Sequence, residues 1–161
     1  MTTQREQPWR DEAPTGRIVV LTRNPIADAF ETIGRTAGRE VLVIEADENG
    51  AGASALAEAG LGVGDAVVLC DHDAPDAPQA LRDALASQAS YVAMMASRRR
   101  SEGVMAGLEK EGVDISALHV PAGLNIGGKA PGEIALSVVS EIVATSYGRP
   151  GGPMRDDVRG Q

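Results

Sequence analysis

Apolar residues in this chain gather in short runs that alternate with longer stretches where they recur every three or four positions. The runs Arg17-Ile-Val-Val-Leu-Thr22, Glu40-Val-Leu-Val-Ile-Glu45, Asp65-Ala-Val-Val-Leu-Cys70 and Tyr91 to Met95 read as strands, and His119-Val120 as a short fifth. Between them, Pro25–Ala37 carries Ile26, Phe30, Ile33 and Ala37 at helical spacing. Asn24 is a good N-cap there, and Pro25 suits the first helical position. Asn49–Ala59 is a weak helical pattern. Asp76–Ser87 and Arg98–Glu111 are clearer ones. Pro131–Thr145 closes the series, with Ile134, Val138 and Ile142 expected inside and Glu133, Ser137, Ser140 and Glu141 turned outward.

Strands apolar on both faces and joined by helices imply a parallel sheet covered on both sides. The expected fold is α/β: a doubly wound, mostly parallel, Rossmann-like sheet of about five strands with helices on both faces. The fourth strand is expected beside the first. Residues 17–147 form the domain, and 1–16 and 148–161 read as disordered tails, polar and rich in Pro or Gly. Ligands of such sheets bind at the carboxyl ends of the strands. The exits to watch are therefore Thr22-Arg23-Asn24, Glu45-Ala46-Asp47, Cys70 to Asp73, Ala96-Ser97-Arg98 and Pro121 to Lys129.

Composition narrows the functions. A net charge of −8 repels phosphate backbones, and one Trp, two Tyr and one Phe make no base-stacking platform, which argues against nucleic-acid binding. The single cysteine, the absence of a long apolar run and the polar N-terminus suggest a cytoplasmic protein with no membrane span.

At the first exit a dinucleotide binder would show G-x-G-x-x-G, yet Thr22-Arg23-Asn24-Pro25-Ile26-Ala27 has no glycine. A helix N-terminus remains there to receive an anion, with Arg23 and Asn24 beside it. Glu45 stands where a ribose-binding acid would lie, so NAD(P) binding stays an alternative. Asp71-His72-Asp73 sets one imidazole between two carboxylates. His72 is a candidate proton carrier or ligand, and a solvated loop is the plainer reading. Arg98-Arg99-Arg100 opens a helix against its own macrodipole, an arrangement that suits an anion, and Ser97 can cap the helix and donate to the same anion. Gly123-Leu-Asn-Ile-Gly-Gly-Lys-Ala130 nearly matches a P-loop, but Ala130 replaces the hydroxyl that holds Mg²⁺. Asn125 and Lys129 on this loop are further candidates for an anion.

Three segments carry a family resemblance: Tyr91-Val-Ala-Met-Met-Ala-Ser-Arg98, Pro121-Ala-Gly-Leu-Asn-Ile-Gly-Gly128, and Pro131-Gly-Glu-Ile-Ala-Leu-Ser-Val-Val-Ser-Glu-Ile-Val143. In order and spacing they resemble the C-terminal Rossmann domain of the XdhC/CoxI family. The resemblance implies a non-catalytic accessory protein. It would bind the molybdenum cofactor (molybdopterin or its dinucleotide form) and assist its insertion into a molybdenum hydroxylase of the xanthine or carbon monoxide dehydrogenase type. Implied partners are the hydroxylase apoenzyme and a chain carrying the family's N-terminal domain, with a homodimer also open. The chain departs from the family at Thr22 to Pro25, where the family has a glycine loop, and at Cys70 to Pro75. The ligand residues expected are Ser97 and Arg98, assisted by Asn125 and Lys129, with Arg23, Asn24, Glu45 and His72 nearby.

Overall fold

The computed structural model describes residues 16–45, 51–71, 73 and 77–157. The expectations for residues 1–15, Ala46, Asp47, His72 and residues 158–161 lie outside the described residues.

Five strands, β1 (Ile18–Leu21), β2 (Val41–Ile44), β3 (Ala66–Leu69), β4 (Tyr91–Met94) and β5 (Leu118–His119), form one sheet in the order β2-β1-β3-β4-β5. Every pairing is parallel, with Ile18 opposite Val41 and Ala66, Ala66 opposite Tyr91, and Val92 opposite Leu118. The helices are α1 (Pro25–Thr36), α2 (Ala51–Glu58), α3 (Ala77–Ala86), α4 (Arg98–Lys110), α5 (Pro131–Ser146) and the single-turn α6 (Met154–Asp157).

Side chains of successive strand residues point to opposite faces, so each strand supplies two cores. Ile18, Val20, Val68, Tyr91 and Ala93 meet Phe30 of α1 and Val138, Val139 and Ile142 of α5. Val19, Leu21, Val67, Leu69, Val92 and Met94 meet Leu56 of α2, Leu81 and Ala84 of α3, and Leu108 of α4. Val19, Val67 and Val92 are fully buried. Each such valine contributes about 1.5 kcal/mol relative to an exposed one. The expectation of strands apolar on both faces fits β1, β3 and β4. It fits β2 less well: β2 lies at the sheet edge, and Leu42 is 39% exposed.

One expectation about topology is corrected. The neighbours of β1 are β2 and β3, so β4 is not beside β1. The chain winds outward to β2, returns past β1 to β3 and then continues to β5. The reversal, and with it the crevice of such a sheet, falls between the exits of β1 and β3. At the opposite edge, Asp65 locks the starts of these two strands together. Its carboxylate accepts from Arg17 N at 2.8 Å, from the Arg17 guanidinium at 3.0 Å and from Gly62 N at 2.9 Å.

Candidate functional site

At the crevice, Asn24 uses both ends of its amide. Oδ1 accepts from Ala27 N at 2.8 Å and caps α1, while Nδ2 donates to the Cys70 carbonyl at 3.2 Å. The cap expected of Asn24 is present, and the same side chain ties the exit of β1 to that of β3. Arg23 is held by carboxylates on three sides: Asp28 at 2.7 Å, Glu45 at 3.2 Å and Glu31 at 3.4 Å. The hydrogen bond that Arg23 donates to Asp28 is the main cause holding its pKa above the usual arginine value. Glu45 is exposed and faces Arg23. Among the described residues the crevice is thus locally acidic, and its one arginine is already engaged. Thr22 Oγ1 is buried and has no hydrogen-bond partner. Cys70 is 6% exposed, and the pKa of its thiol is pushed up to about 12, first by burial and then by the Asp71 charge. It is a small buried hydrophobe ending a strand. Among the described residues no group of His, Cys, Asp and Glu could hold a metal ion.

One strand further on, α4 begins with Ser97 as N-cap. Its Oγ accepts from Arg100 N at 3.2 Å, which leaves the hydroxyl proton free to donate. Arg100 pairs with Asp73 at 2.9 Å. Arg98 and Arg99 are exposed and make no ion pair among the described residues. An open cleft of about 520 Å³ lies here, lined by Ser97, Arg99, Arg100, Gly103 and Val104. Arg99 lines it and Arg98 does not. A second, more apolar groove of about 200 Å³ shares Arg100, Gly103 and Val104 and continues between α3 and α4 over Met94. Arg82 and Glu111 bridge its far end with two bonds of 2.9 Å.

Asn125 and Lys129 lie exposed on the loop from Pro121 to Ala130, and among the described residues their side chains make no hydrogen bond or ion pair. No hydrogen bond or ion pair joins them to Ser97–Arg100. Gly127 takes a φ of +85°, which suits the tight loop expected there. The loop leads into α5, where the Glu133 side chain accepts from Ala130 N at 3.3 Å.

A polar cluster that sequence reasoning missed sits under this loop. Glu141 Oε1 accepts from the Tyr91 hydroxyl at 2.6 Å and from Gly123 N at 3.1 Å, and stands 3.4 Å from His119 Nδ1. The His119 ring stacks on Tyr91, with centroids 4.2 Å apart. Burial, then the Glu141 hydrogen bond and its charge, holds the Tyr91 phenol well above the usual tyrosine range. The expectation that Ser137 and Glu141 face outward is corrected. Ser137 is buried, and Glu141 turns in toward the sheet. Both lie one position from the buried Val138 and Ile142, about 100° around the helix. A signal was available: a tyrosine inside an apolar strand requires a hydrogen-bond partner once buried.

Residues 18–142 match the XdhC Rossmann domain. The chain belongs to the XdhC Rossmann-domain family. The matched stretch opens at β1 and closes inside α5, so the XdhC Rossmann domain comprises the whole sheet, the α4 start and the Gly123 loop. Similarity to the uncharacterized protein YqeB of Escherichia coli (strain K12) reaches 37% identity over 79 residues, which is 47% of this chain and 15% of YqeB. The crystal structure of a xanthine dehydrogenase from Bacillus halodurans shares the fold, with a TM-score of 0.66 at 19% identity, over 84% of this chain and 44% of that one. The chain therefore spans less than half the length of either protein. Among the described residues of the XdhC Rossmann domain, no helix is long and apolar enough to cross a membrane.

Proposed function

We propose that this XdhC Rossmann domain is a non-catalytic accessory module that binds the molybdenum cofactor as cargo and assists its insertion into a molybdenum hydroxylase. The observation that carries the reading is the cleft at the start of α4. In a chain of net charge −8, cations stand at a strand exit, two of them without a carboxylate partner among the described residues. A pterin bearing a phosphate or dinucleotide is strongly anionic and suits that cleft. Ser97 supplies a hydroxyl proton, Arg99 a guanidinium able to bind two phosphate oxygens, and the α4 N-terminus a positive dipole end. Arg98 stands beside the cleft and adds charge. Asn125 and Lys129 are free to reach a ligand from the loop. The crevice between β1 and β3 suits an anion less, because carboxylates surround Arg23. Its glycine-free turn and the engaged Glu45 also weigh against the NAD(P) alternative. The hydroxylase apoenzyme is the partner this role requires.

The test is purification from cofactor-producing cells followed by a molybdopterin assay, with Arg99→Ala as the probe of the cleft. Charge-assisted bonds contribute about 1.5–3 kcal/mol. Arg99→Ala is therefore expected to weaken binding about ten- to a hundredfold while melting like the wild type. Absence of pterin from the purified protein, together with no uptake of added cofactor, overturns the proposal. Tight, saturable NAD(P) binding would replace it with the dehydrogenase reading.

A further inference from the structure

We propose that Glu141 is a positioning residue that holds the Pro121–Ala130 loop on the domain, and so sets where Asn125 and Lys129 stand for an anionic ligand. This rests on the anion-binding reading above, because those two side chains matter only if a ligand arrives. One carboxylate oxygen collects a phenol from the start of β4, an imidazole from the end of β5 and a backbone N–H from the loop. No other described side chain joins β4, β5 and the loop in this way. Gly123 permits the approach. Its φ is +100°, and a Cβ there would collide with Ser137 Oγ, so any other residue at this place is strained in its backbone and must push the Ser137 hydroxyl aside.

Besides the packing of Ala122 against the core, few hydrogen bonds hold the loop. Leu124 N donates to Ser137 O at 3.2 Å, and Ala130 N to the Glu133 side chain at 3.3 Å. Between these anchors, Ile126 N bonds within the loop, to Leu124 O at 2.9 Å. All the anchors lead to α5, and the one at Gly123 is charge-assisted. Tyr91 and His119 complete the shell of Glu141. The Tyr91 bond, 2.6 Å from a buried ring, is separate from the one Gly123 N donates to the same oxygen. His119 Nε2 has no partner in this cluster, so the imidazole contributes through Nδ1.

The experiment compares the full chain with Glu141→Ala, Glu141→Gln and Tyr91→Phe. Amide hydrogen exchange is followed at 123–129 against Ile18–Leu21, and inorganic pyrophosphate is titrated by calorimetry. Glu141→Ala is expected to speed exchange at 123–129 about tenfold relative to β1, and to weaken pyrophosphate by a similar factor. Glu141→Gln keeps an acceptor for Gly123 and is expected to restore both to within about threefold. Tyr91→Phe lowers stability but leaves the Gly123 bond, so its relative loop exchange and its affinity stay near wild type. The proposal is overturned if Glu141→Ala leaves 123–129 as protected as before, or leaves affinity unchanged. It is equally overturned if Tyr91→Phe weakens pyrophosphate as much as Glu141→Ala does. If Glu141→Ala does not fold, Glu141→Gln decides, and a loss of loop protection there refutes the role of the acceptor. If the wild type itself fails to bind pyrophosphate, the anion-binding reading fails, and the exchange data alone decide whether Glu141 holds the loop.

Discussion

Replacing Asn24 by alanine removes two hydrogen bonds with different jobs. One caps α1 through Ala27 N, and the other reaches across to the Cys70 carbonyl at the end of β3. Loss of an N-cap costs about 1 kcal/mol. A neutral hydrogen bond from a half-buried amide is worth about another 1 kcal/mol. The sum, about 2 kcal/mol, lowers the melting temperature of a domain of this size by about 4–8 °C. Asn24→Asp separates the two contributions. Its carboxylate still accepts from Ala27 N and favours the positive end of α1, but it cannot donate to Cys70 O. It is expected to lose about 1 kcal/mol or less. Thermal and urea unfolding, followed by far-UV circular dichroism, give both values. An alanine variant that unfolds at the wild-type midpoint, or an aspartate variant as unstable as alanine, would refute the double role.

Two further expectations concern ionisation. Burial pushes the Asp65 carboxyl up, but the N–H of Gly62 and both the side chain and backbone N–H of Arg17 outweigh it and hold the group below its ordinary value of 3.8. A depressed folded pKa gives stability that is present above the unfolded pKa and lost as pH falls through the folded one. Acid unfolding should therefore begin below about pH 5, and Asp65→Asn should flatten that limb; an unchanged acid profile in the variant counts against it. Cys70, with its thiol pushed up to about 12, should not react with a thiol reagent at about pH 8 until the chain is unfolded. Stoichiometric labelling of the folded protein would place the thiol at the surface.

The elements were legible because local rules govern them. Asn24-Pro25 marks the start of α1, Ser97 the start of α4 and Pro131 the start of α5, where each was expected. Strand boundaries differ by a residue or so at most ends, since runs such as Arg17–Thr22 carry a flanking residue at each end of the paired stretch Ile18–Leu21. The glycine-free turn after β1 and the cations before α4 were also readable, since each depends on neighbours in the chain. The positions of individual arginines were not. Nothing local distinguishes Arg98 from Arg99, yet their places on the helix put Arg99 in the cleft and Arg98 outside it.

Periodicity and capping, both short-range effects, determined from the sequence alone an alternating parallel α/β chain with its ligand-prone ends at the strand exits. Strand order was decided only in three dimensions. The same alternation permits β3 or β4 beside β1, and the choice depends on which faces bury the most apolar surface once all the helices are placed. Tertiary structure also decided the state of charged groups. Arg23 meets Glu45 across 22 positions of sequence, and Glu141 meets Tyr91 across 50. An ion pair or buried hydrogen bond depends on distance in space, which folding makes independent of distance along the chain.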